Sequence, residues 1–334
     1  MNPKRILVIV LAVTLMLAAA PTAQANNPTT TETWNFMDQN RDSSGQGWVW
    51  ESATNTLTLT DFTQNTSADT ALLLPGDSTL VLEGENHITL TSDGSGFFGA
   101  WGVLSIGSLT IDGTGSLTVT LDGTRQNIGM SAMYLTFNNA AVSIITGDVD
   151  GANMGISTYN GITVNSGSLT VASGGNSGLS SFSSAGIASR SSFSSFTLNG
   201  GEVNVASGNS VGNSWGINVV GGFIMNGGTL NVTSGPATRH SVAIIAANIT
   251  INGGHGTARA SEAGINSHAI EASPRFSQPH FLQLSEELTI VGWDGIEYTI
   301  PGNATPYFLA DESGAPLARL QFGDNINFNP LMGR

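Results

Sequence analysis

The sequence predicts an all-β protein, a right-handed single-stranded parallel β-helix of about seven turns with an N-terminal cap and a C-terminal antiparallel β segment. The first observation is a recurring unit, whose clearest copy is ITVNSGSLTV at Ile162–Val171. The second is the alternation of apolar and polar residues on both sides of an Asn corner, a period of two that is typical of half-buried strands. The third is the spacing of the copies, which is 26 or 27 residues in all but one step and indicates a stacked array.

The corner of each unit is an Asn or Asp followed by small residues, which tolerate the left-handed backbone of a sharp turn. Successive corners are 26, 27, 34, 27 and 26 residues apart. With one unit per turn these residues would stack, and Asn amides can bond along the axis as they do in cross-β structures. A β-propeller is the main alternative, but its blades need about 40 residues and four strands. The predicted corner column is Asp112, Asn138, Asn165, Asn199, Asn226 and Asn252.

Two further columns of outward residues follow from the same alignment, one before the corner and one after it. They would give the coil a flat surface of hydroxyl and amide groups. The column before the corner is Thr110, Thr136, Thr163, Thr197, Ile224 and Thr250. The column after it is Thr118, Ser143, Thr170, Asn204, Asn231 and Thr257.

Residues 1–25 are predicted to be a secretory signal peptide. Lys4 and Arg5 precede the apolar run Ile6–Ala20, and Ala23-Gln24-Ala25 fits a cleavage site. The alternative is an uncleaved membrane anchor, for which the apolar run is short of the ~18–20 residues that a spanning helix needs. We therefore expect a secreted or cell-surface protein with no membrane insertion after cleavage.

The rest of the chain divides into three parts. Residues 26–56 form a leader and N-terminal cap, in which the tryptophan-rich stretch Trp34–Trp50 would cover the open end of the coil. A sugar-stacking patch is the alternative role for these tryptophans. Residues 57–273 form the β-helix, and residues 281–328 a β-hairpin segment with Asp294-Gly295 as a turn signal.

Composition restricts the partners. The net charge of −14 would become −16 after cleavage, because Lys4 and Arg5 would be lost without any acidic residue. Such a surface repels phosphate backbones, so nucleic acid is excluded as a partner. Without cysteine, the chain has no disulfides and no thiolate metal site. We expect a monomer.

Two tryptophans stand out within the repeats. Trp101 and Trp215 each precede a Gly-Val or Gly-Ile pair and would lie about four turns, or ~19 Å, apart along the axis. Two roles are open for these tryptophans: packing in the core, or forming an exposed aromatic platform. The predicted carbohydrate-binding residues combine this pair with the outward columns: Trp101, Trp215, Thr110, Thr163, Thr170, Asn204 and Asn231.

No cofactor is required by the sequence, although calcium is a candidate. Asp148, Asp150 and Asn153 surround a glycine in the turn between two repeats, and Ca²⁺ takes six to eight oxygen ligands. The alternative is a solvated acidic turn.

Two motifs resemble a family of secreted bacterial β-helix proteins that carry a carbohydrate-binding domain and are structurally related to polysaccharide lyases. They are GWVWESATNTLTL at Gly47–Leu59 and LLLPGDSTLVLEGENHITL at Leu72–Leu90, and the resemblance extends over roughly residues 47–257. It implies binding of a polysaccharide or cell-surface glycan, sometimes with calcium, without proven catalysis. No calcium ligand of that family can be matched to a position in this sequence.

The sequence leaves three functions open, of which non-catalytic polysaccharide binding is preferred. A structural adhesin or stalk without a defined small ligand is the first alternative. A polysaccharide lyase is the second, but such an enzyme needs a base, commonly Arg or Lys. The cleaved chain would have no lysine, and its arginines share no column with acidic partners. We therefore expect no enzymatic activity.

Overall fold

The computed structural model describes residues 30–92, 99–178, 183–263, 266–273, 281–285, 288–292, 297–298, 309–310, 313 and 315–323. Every regular element within these ranges is a strand, and the strands form a parallel β-solenoid of about eight turns. The predicted parallel β-helix is therefore confirmed, with about one turn more than expected. The predicted signal peptide at residues 1–25 lies outside the described residues. In these ranges we find no helix with the length and apolar character needed to cross a membrane.

The strands follow one another along the chain in three groups. The N-terminal cap contains β1 (Trp34–Asn35), β2 (Ser43–Gly45) and β3 (Trp48–Glu51). The coil contains β4 (Thr56–Thr60), β5 (Thr63–Thr66), β6 (Thr70–Leu74), β7 (Ser78–Glu83), β8 (Glu85–Ser92), β9 (Ala100–Ser105), β10 (Ser108–Gly113), β11 (Ser116–Gly123), β12 (Asn127–Phe137), β13 (Ala141–Thr146), β14 (Asn153–Val164), β15 (Ser168–Ser173), β16 (Ser183–Ser189), β17 (Ser195–Leu198), β18 (Glu202–Ser207), β19 (Asn213–Met225), β20 (Thr229–Thr233), β21 (His240–Ile251), β22 (His255–Arg259), β23 (Asn266–Ala272) and β24 (Phe281–Leu284). The C-terminal segment contains β25 (Thr289–Gly292), β26 (Glu297–Tyr298) and β27 (Arg319–Gly323).

Each turn of the coil has three sides. In one turn β9 forms the first side, β10 the second and β11 the third, and each pairs in parallel with its equivalents in the neighbouring turns. The first and second sides belong to one 16-stranded sheet, since strands such as β12 and β14 continue from one side to the other. The third side is an 11-stranded sheet.

The core is the interior of this coil. Inward residues of successive turns stack on one another, so that Leu117 pairs with Val142 and Phe196 lies parallel to Phe223 with ring centroids 5.3 Å apart. All four are buried. Burying one such side chain is worth about 1.5–3 kcal/mol, and each turn completes the burial of the next. The core therefore extends along the coil as one continuous cluster.

Small residues occupy an inner column of the first side because the third side comes very close to it. A Cβ added to Gly155 would lie 2.1 Å from Cγ1 of Val171, and one added to Gly216 would lie 2.2 Å from Cγ1 of Val232. These glycines lie within strands β14 and β19. The column runs through Gly102, Gly129, Gly155, Gly186, Gly216, Ala243 and Ala269.

A buried polar column lies where the third side turns into the first. Ser214 is typical: it is fully buried, its hydroxyl donates to the carbonyl of Gly208 at 2.8 Å, and it shares a hydrogen bond with Ser207 at 2.8 Å. Buried polar groups need such partners. The column was not predicted from the sequence, and its members are Asn127, Asn153, Ser184, Ser214 and Ser241.

Aromatic side chains close the N-terminal end of the coil, as predicted. Trp50 is fully buried, donates its indole N–H to the carbonyl of Gln39 at 3.0 Å and lies 5.0 Å from the ring of Phe36. Trp34 and Trp48 pack against the same core with ring centroids 5.3 Å apart. The N-terminal tryptophans therefore form a cap.

The C-terminal segment closes the other end. β27 pairs antiparallel with β22, the last coil strand of the third side, and with β25, which also pairs antiparallel with β26. Leu309, Leu320 and Phe322 belong to the main core cluster. The predicted turn at Asp294-Gly295 lies outside the described residues.

Candidate functional site

The seven predicted carbohydrate-binding residues lie on three different sides of the coil. Trp101 and Trp215 are on the first side, in β9 and β19. The predicted threonines of the second side belong to β10 and β14, and the remaining three residues belong to the third-side strands β15, β18 and β20. The structure therefore brings together residues within each column, but it does not combine the columns into one site.

Trp101 and Trp215 are half-buried on the outer surface of the first side. The strand register places three residues between them in one column, so they are four turns apart, as predicted. Both indoles pack against a small apolar cluster that is separate from the main core and contains Ile128, Met154 and Ala185. Much of their surface is thus used in packing within the protein.

Side-chain hydrogen bonds connect the predicted polar residues of the third side. Asn204 donates to the carboxylate of Glu202 at 2.8 Å, and Asn231 donates to the side-chain oxygen of Asn204 at 3.0 Å. The hydroxyl of Thr257 donates to the side-chain oxygen of Asn231 at 2.9 Å. Thr170 belongs to the same column, which confirms the predicted alignment.

The corner between the second and third sides carries the predicted Asn ladder. Side-chain amides of successive turns donate to one another in four hydrogen bonds of 2.8 Å each. Because each of the three inner amides donates one N–H and accepts at its oxygen, the orientation of the amides along the ladder is fixed. The ladder consists of Asn138, Asn165, Asn199, Asn226 and Asn252.

A column of threonines runs along the second side, and in three successive turns its members Thr136, Thr163 and Thr197 lie two residues before a residue of the Asn ladder. It begins in the N-terminal turn and is unbroken for six turns, up to an isoleucine at position 224. Alternate residues of a strand are about 6.6 Å apart, so the hydroxyls and the amides form two parallel rows. The hydroxyl row is Thr56, Thr79, Thr110, Thr136, Thr163 and Thr197.

A line of exposed apolar and aromatic side chains runs along the corner between the first and second sides. Its members lie on four successive turns, between β9 and β10, in the middle of β12, in the middle of β14, and between β16 and β17. We call this line the tyrosine ridge, and it consists of Ile106 (57% exposed), Met133 (38%), Tyr134 (53%), Tyr159 (54%) and Phe193 (87%).

Sequence reasoning missed the tyrosine ridge because the chain loses its alternation at this corner. The register of β12 against β14 shifts between Ala132 and Tyr134, so that Met133 and Tyr134 are both exposed. An available signal was the recurrence of large apolar residues between the Gly-Ile pair and the Thr strand of successive repeats. Exposed apolar patches of this kind often mark binding sites.

The predicted calcium ligands do not share one face. Asp148 and Asp150 are exposed and accept hydrogen bonds from the backbone N–H of Gly175 at 2.6 Å and the hydroxyl of Ser177 at 2.9 Å. Asn153 is fully buried, and its amide donates to the carbonyl of Gly147 at 2.7 Å. Calcium at the two aspartates remains a prediction.

Within the described ranges, no group of three or more His, Cys, Asp or Glu residues is arranged to hold a metal ion.

The pKa shifts found in the described residues lie at the two ends of the coil. Hydrogen bonds from the backbone N–H and the hydroxyl of Ser52 lower the pKa of Asp42 in the N-terminal cap. Burial, followed by the charge of Arg319, lowers the pKa of Arg259 near the C-terminal end. Neither group is on the tyrosine ridge, whose neighbourhood is dominated by uncharged side chains.

Comparison of the chain with protein-family models, with curated proteins and with solved structures finds no match.

Proposed function

We propose that this chain is an exported, non-catalytic protein that binds a polysaccharide through the tyrosine ridge and the neighbouring threonine column. The observation that carries the proposal is the exposure of Tyr134 and Tyr159 on successive turns beside ordered rows of hydroxyl and amide groups. Tyrosine offers an apolar face with a polar tip, which suits the apolar faces and hydroxyl edges of sugar rings.

The polar rows support this proposal by their rigidity. Groups that are already fixed before binding lose little conformational entropy when a ligand arrives. Thr136 and Thr163 lie in paired strands, and the Asn ladder beside them is held by its own hydrogen bonds. The first-side tryptophans are less suitable, because Trp101 and Trp215 already pack against other side chains.

A pull-down with insoluble polysaccharides tests the proposal. Purified protein is mixed with cellulose, xylan, pectin or peptidoglycan, and the fraction that sediments is measured. We expect binding to at least one of them, and we expect Tyr134→Ala/Tyr159→Ala to weaken it at least about tenfold. Truncating a central aromatic anchor typically costs ~2 kcal/mol or more, and each 1.4 kcal/mol is a factor of ten.

The matched control is Ile145→Ala. Ile145 is an exposed apolar residue (44%) on the third side, away from the tyrosine ridge, so its removal should leave binding unchanged. Sedimentation with none of the four polysaccharides would refute the proposal. Equal binding by wild type and the double tyrosine variant would show that the binding site lies elsewhere on the protein.

A further inference from the structure

The tyrosine ridge repeats along the axis of the coil. Ile106 and Phe193 mark its two ends on the first and the fourth of four successive turns. Because neighbouring strands are about 4.8 Å apart, the ridge extends for roughly 14 Å. Its length is therefore set by the stacking of the turns and is much greater than one sugar ring.

Three of the four turns of the ridge present an aromatic ring, a threonine and an Asn of the ladder in the same order along the chain. Tyr134 is followed in β12 by Thr136, and the ladder residue Asn138 comes directly after the strand, so that an aromatic ring, a hydroxyl and an amide succeed one another. In the next turn Tyr159, Thr163 and Asn165 follow in the same order, with Tyr159 set two residues further from its threonine than Tyr134 is, because the register pairs Tyr134 with Gly161. A surface that repeats over successive turns complements a ligand that itself repeats along its length.

The far end of the ridge is held in place by backbone hydrogen bonds. The N–H of Ser191 donates to the carbonyl of Tyr159 at 3.0 Å, and the N–H of Ser194 donates to the carbonyl of Ser191 at 3.0 Å. The hydroxyls of Ser189 and Ser194 are 2.7 Å apart and buried. Phe193 is therefore presented to solvent from an ordered turn that is attached directly to the turn of Tyr159.

Charge on this surface restricts the ligand further. The ridge and the threonines beside it are uncharged, whereas the chain as a whole has a net charge of −14. Charged side chains occur next to the ridge and its threonines, at Asp77, Asp112 and Arg190. An uncharged ligand meets no electrostatic penalty here, while a polyanion would be repelled by the whole molecule.

We infer that the ligand is an uncharged, extended glycan that lies parallel to the coil axis and is bound along its length, over four turns. The inference rests on the proposed function. An extended pyranose chain advances by about one turn spacing per sugar residue, so four sugars would fill the ridge from Ile106 to Phe193. The tyrosine ridge recognises internal sugars of the glycan, and free ends of the glycan are not required.

A length series tests the inference. Oligosaccharides of two to six residues, prepared from the polysaccharide that sediments the protein, are titrated calorimetrically. We expect the affinity to rise by about tenfold or more from disaccharide to tetrasaccharide and then to level off. We expect Phe193→Ala to weaken the binding of tetrasaccharide but not of disaccharide, with Ile145→Ala as the unaffected control.

The outcomes separate the inference from the proposed function. If the protein sediments with a polysaccharide but binds disaccharide as tightly as hexasaccharide, the site is short and the inference is overturned, while the proposed function stands. Preference for polygalacturonate over neutral xylan of equal length would overturn the assignment of an uncharged ligand. If no polysaccharide sediments the protein, the proposed function itself fails.

Discussion

At the scale of single residues, the distance between facing sides decides which side chain is allowed at each inward position. The inner column of the first side is glycine from Gly102 to Gly216, and the facing residue of the third side is branched, as at Val171 and Val232. In the following turn the glycine is replaced by Ala243, and the strand register puts Ala258 in the place of Val232. Loss of space on one side is thus matched by a smaller residue on the other.

We predict that Gly216→Ala destabilises the protein by about 1–3 kcal/mol, the usual cost of overpacking a core. The new Cβ would lie 2.2 Å from Cγ1 of Val232 and 2.6 Å from the carbonyl oxygen of residue 243. The shift of the urea unfolding midpoint measures the loss. Gly222→Ala in the same strand is the control, because a Cβ there has no heavy atom within 4 Å.

The double variant Gly216→Ala/Val232→Ala probes the matching of the two sides. We expect its destabilisation to be smaller than the sum of the two single effects, because it reproduces the alanine pair of the following turn. Additive effects would show that the facing side chain does not set the glycine requirement.

At the scale of elements, the caps cover the strands at the two ends of the coil, whose edges would otherwise be exposed to solvent. We predict that Trp50→Ala costs about 3–5 kcal/mol, since it leaves a cavity among Phe36 and its neighbours and removes the hydrogen bond to Gln39. Uncovered strand edges promote association, so light scattering should rise together with the loss of stability. Val49→Ala is the control, as Val49 is 47% exposed in the same strand. Equal effects of the two substitutions would contradict a capping role for Trp50.

The elements also show where sequence reasoning succeeds and where it ends. A nearly regular repeat length aligns residues such as Asn138 and Asn165, 27 positions apart, so the ladder could be predicted from the alignment of the repeats. The same arithmetic does not give the angle between strands at a corner. Thr163 and Thr170 therefore looked like parts of one surface, although the corner that contains Gly167, with a φ of +83°, puts them on different sides.

The ridge could not be derived from alternation for a related reason. Tyr134 lies where the strand register shifts, and Phe193 lies in the short connection between β16 and β17. At such irregular positions the period of two gives no information about which side chains face solvent. Sequence thus predicted the regular columns well, and it failed at the corner where they are interrupted.

At the scale of the whole molecule, the coil is a stack of interchangeable turns. Each turn contacts chiefly the one before and the one after it, and stability in such arrays is roughly a sum of turn and interface contributions. Pairing of equivalent residues continues through the long steps as well as the short ones: Asn165 bonds to Asn199 across 34 residues and Asn199 to Asn226 across 27. The stack therefore tolerates differences in corner length as long as its strands keep register.

We predict that a complete turn can be removed without loss of the fold. Deletion of the 27 residues 200–226 joins Asn199 to Gly227, and the register then places Phe196 on Ile249 and Asn199 on Asn252. We expect cooperative unfolding, an unchanged β-sheet spectrum in circular dichroism, and a long axis shorter by about 4.8 Å in small-angle scattering. Deletion of residues 200–212, about half a turn, is the matched control, since it displaces the following strands from their register and exposes inward residues. If the full-turn deletion unfolds as readily as the half-turn deletion, the turns are not equivalent units.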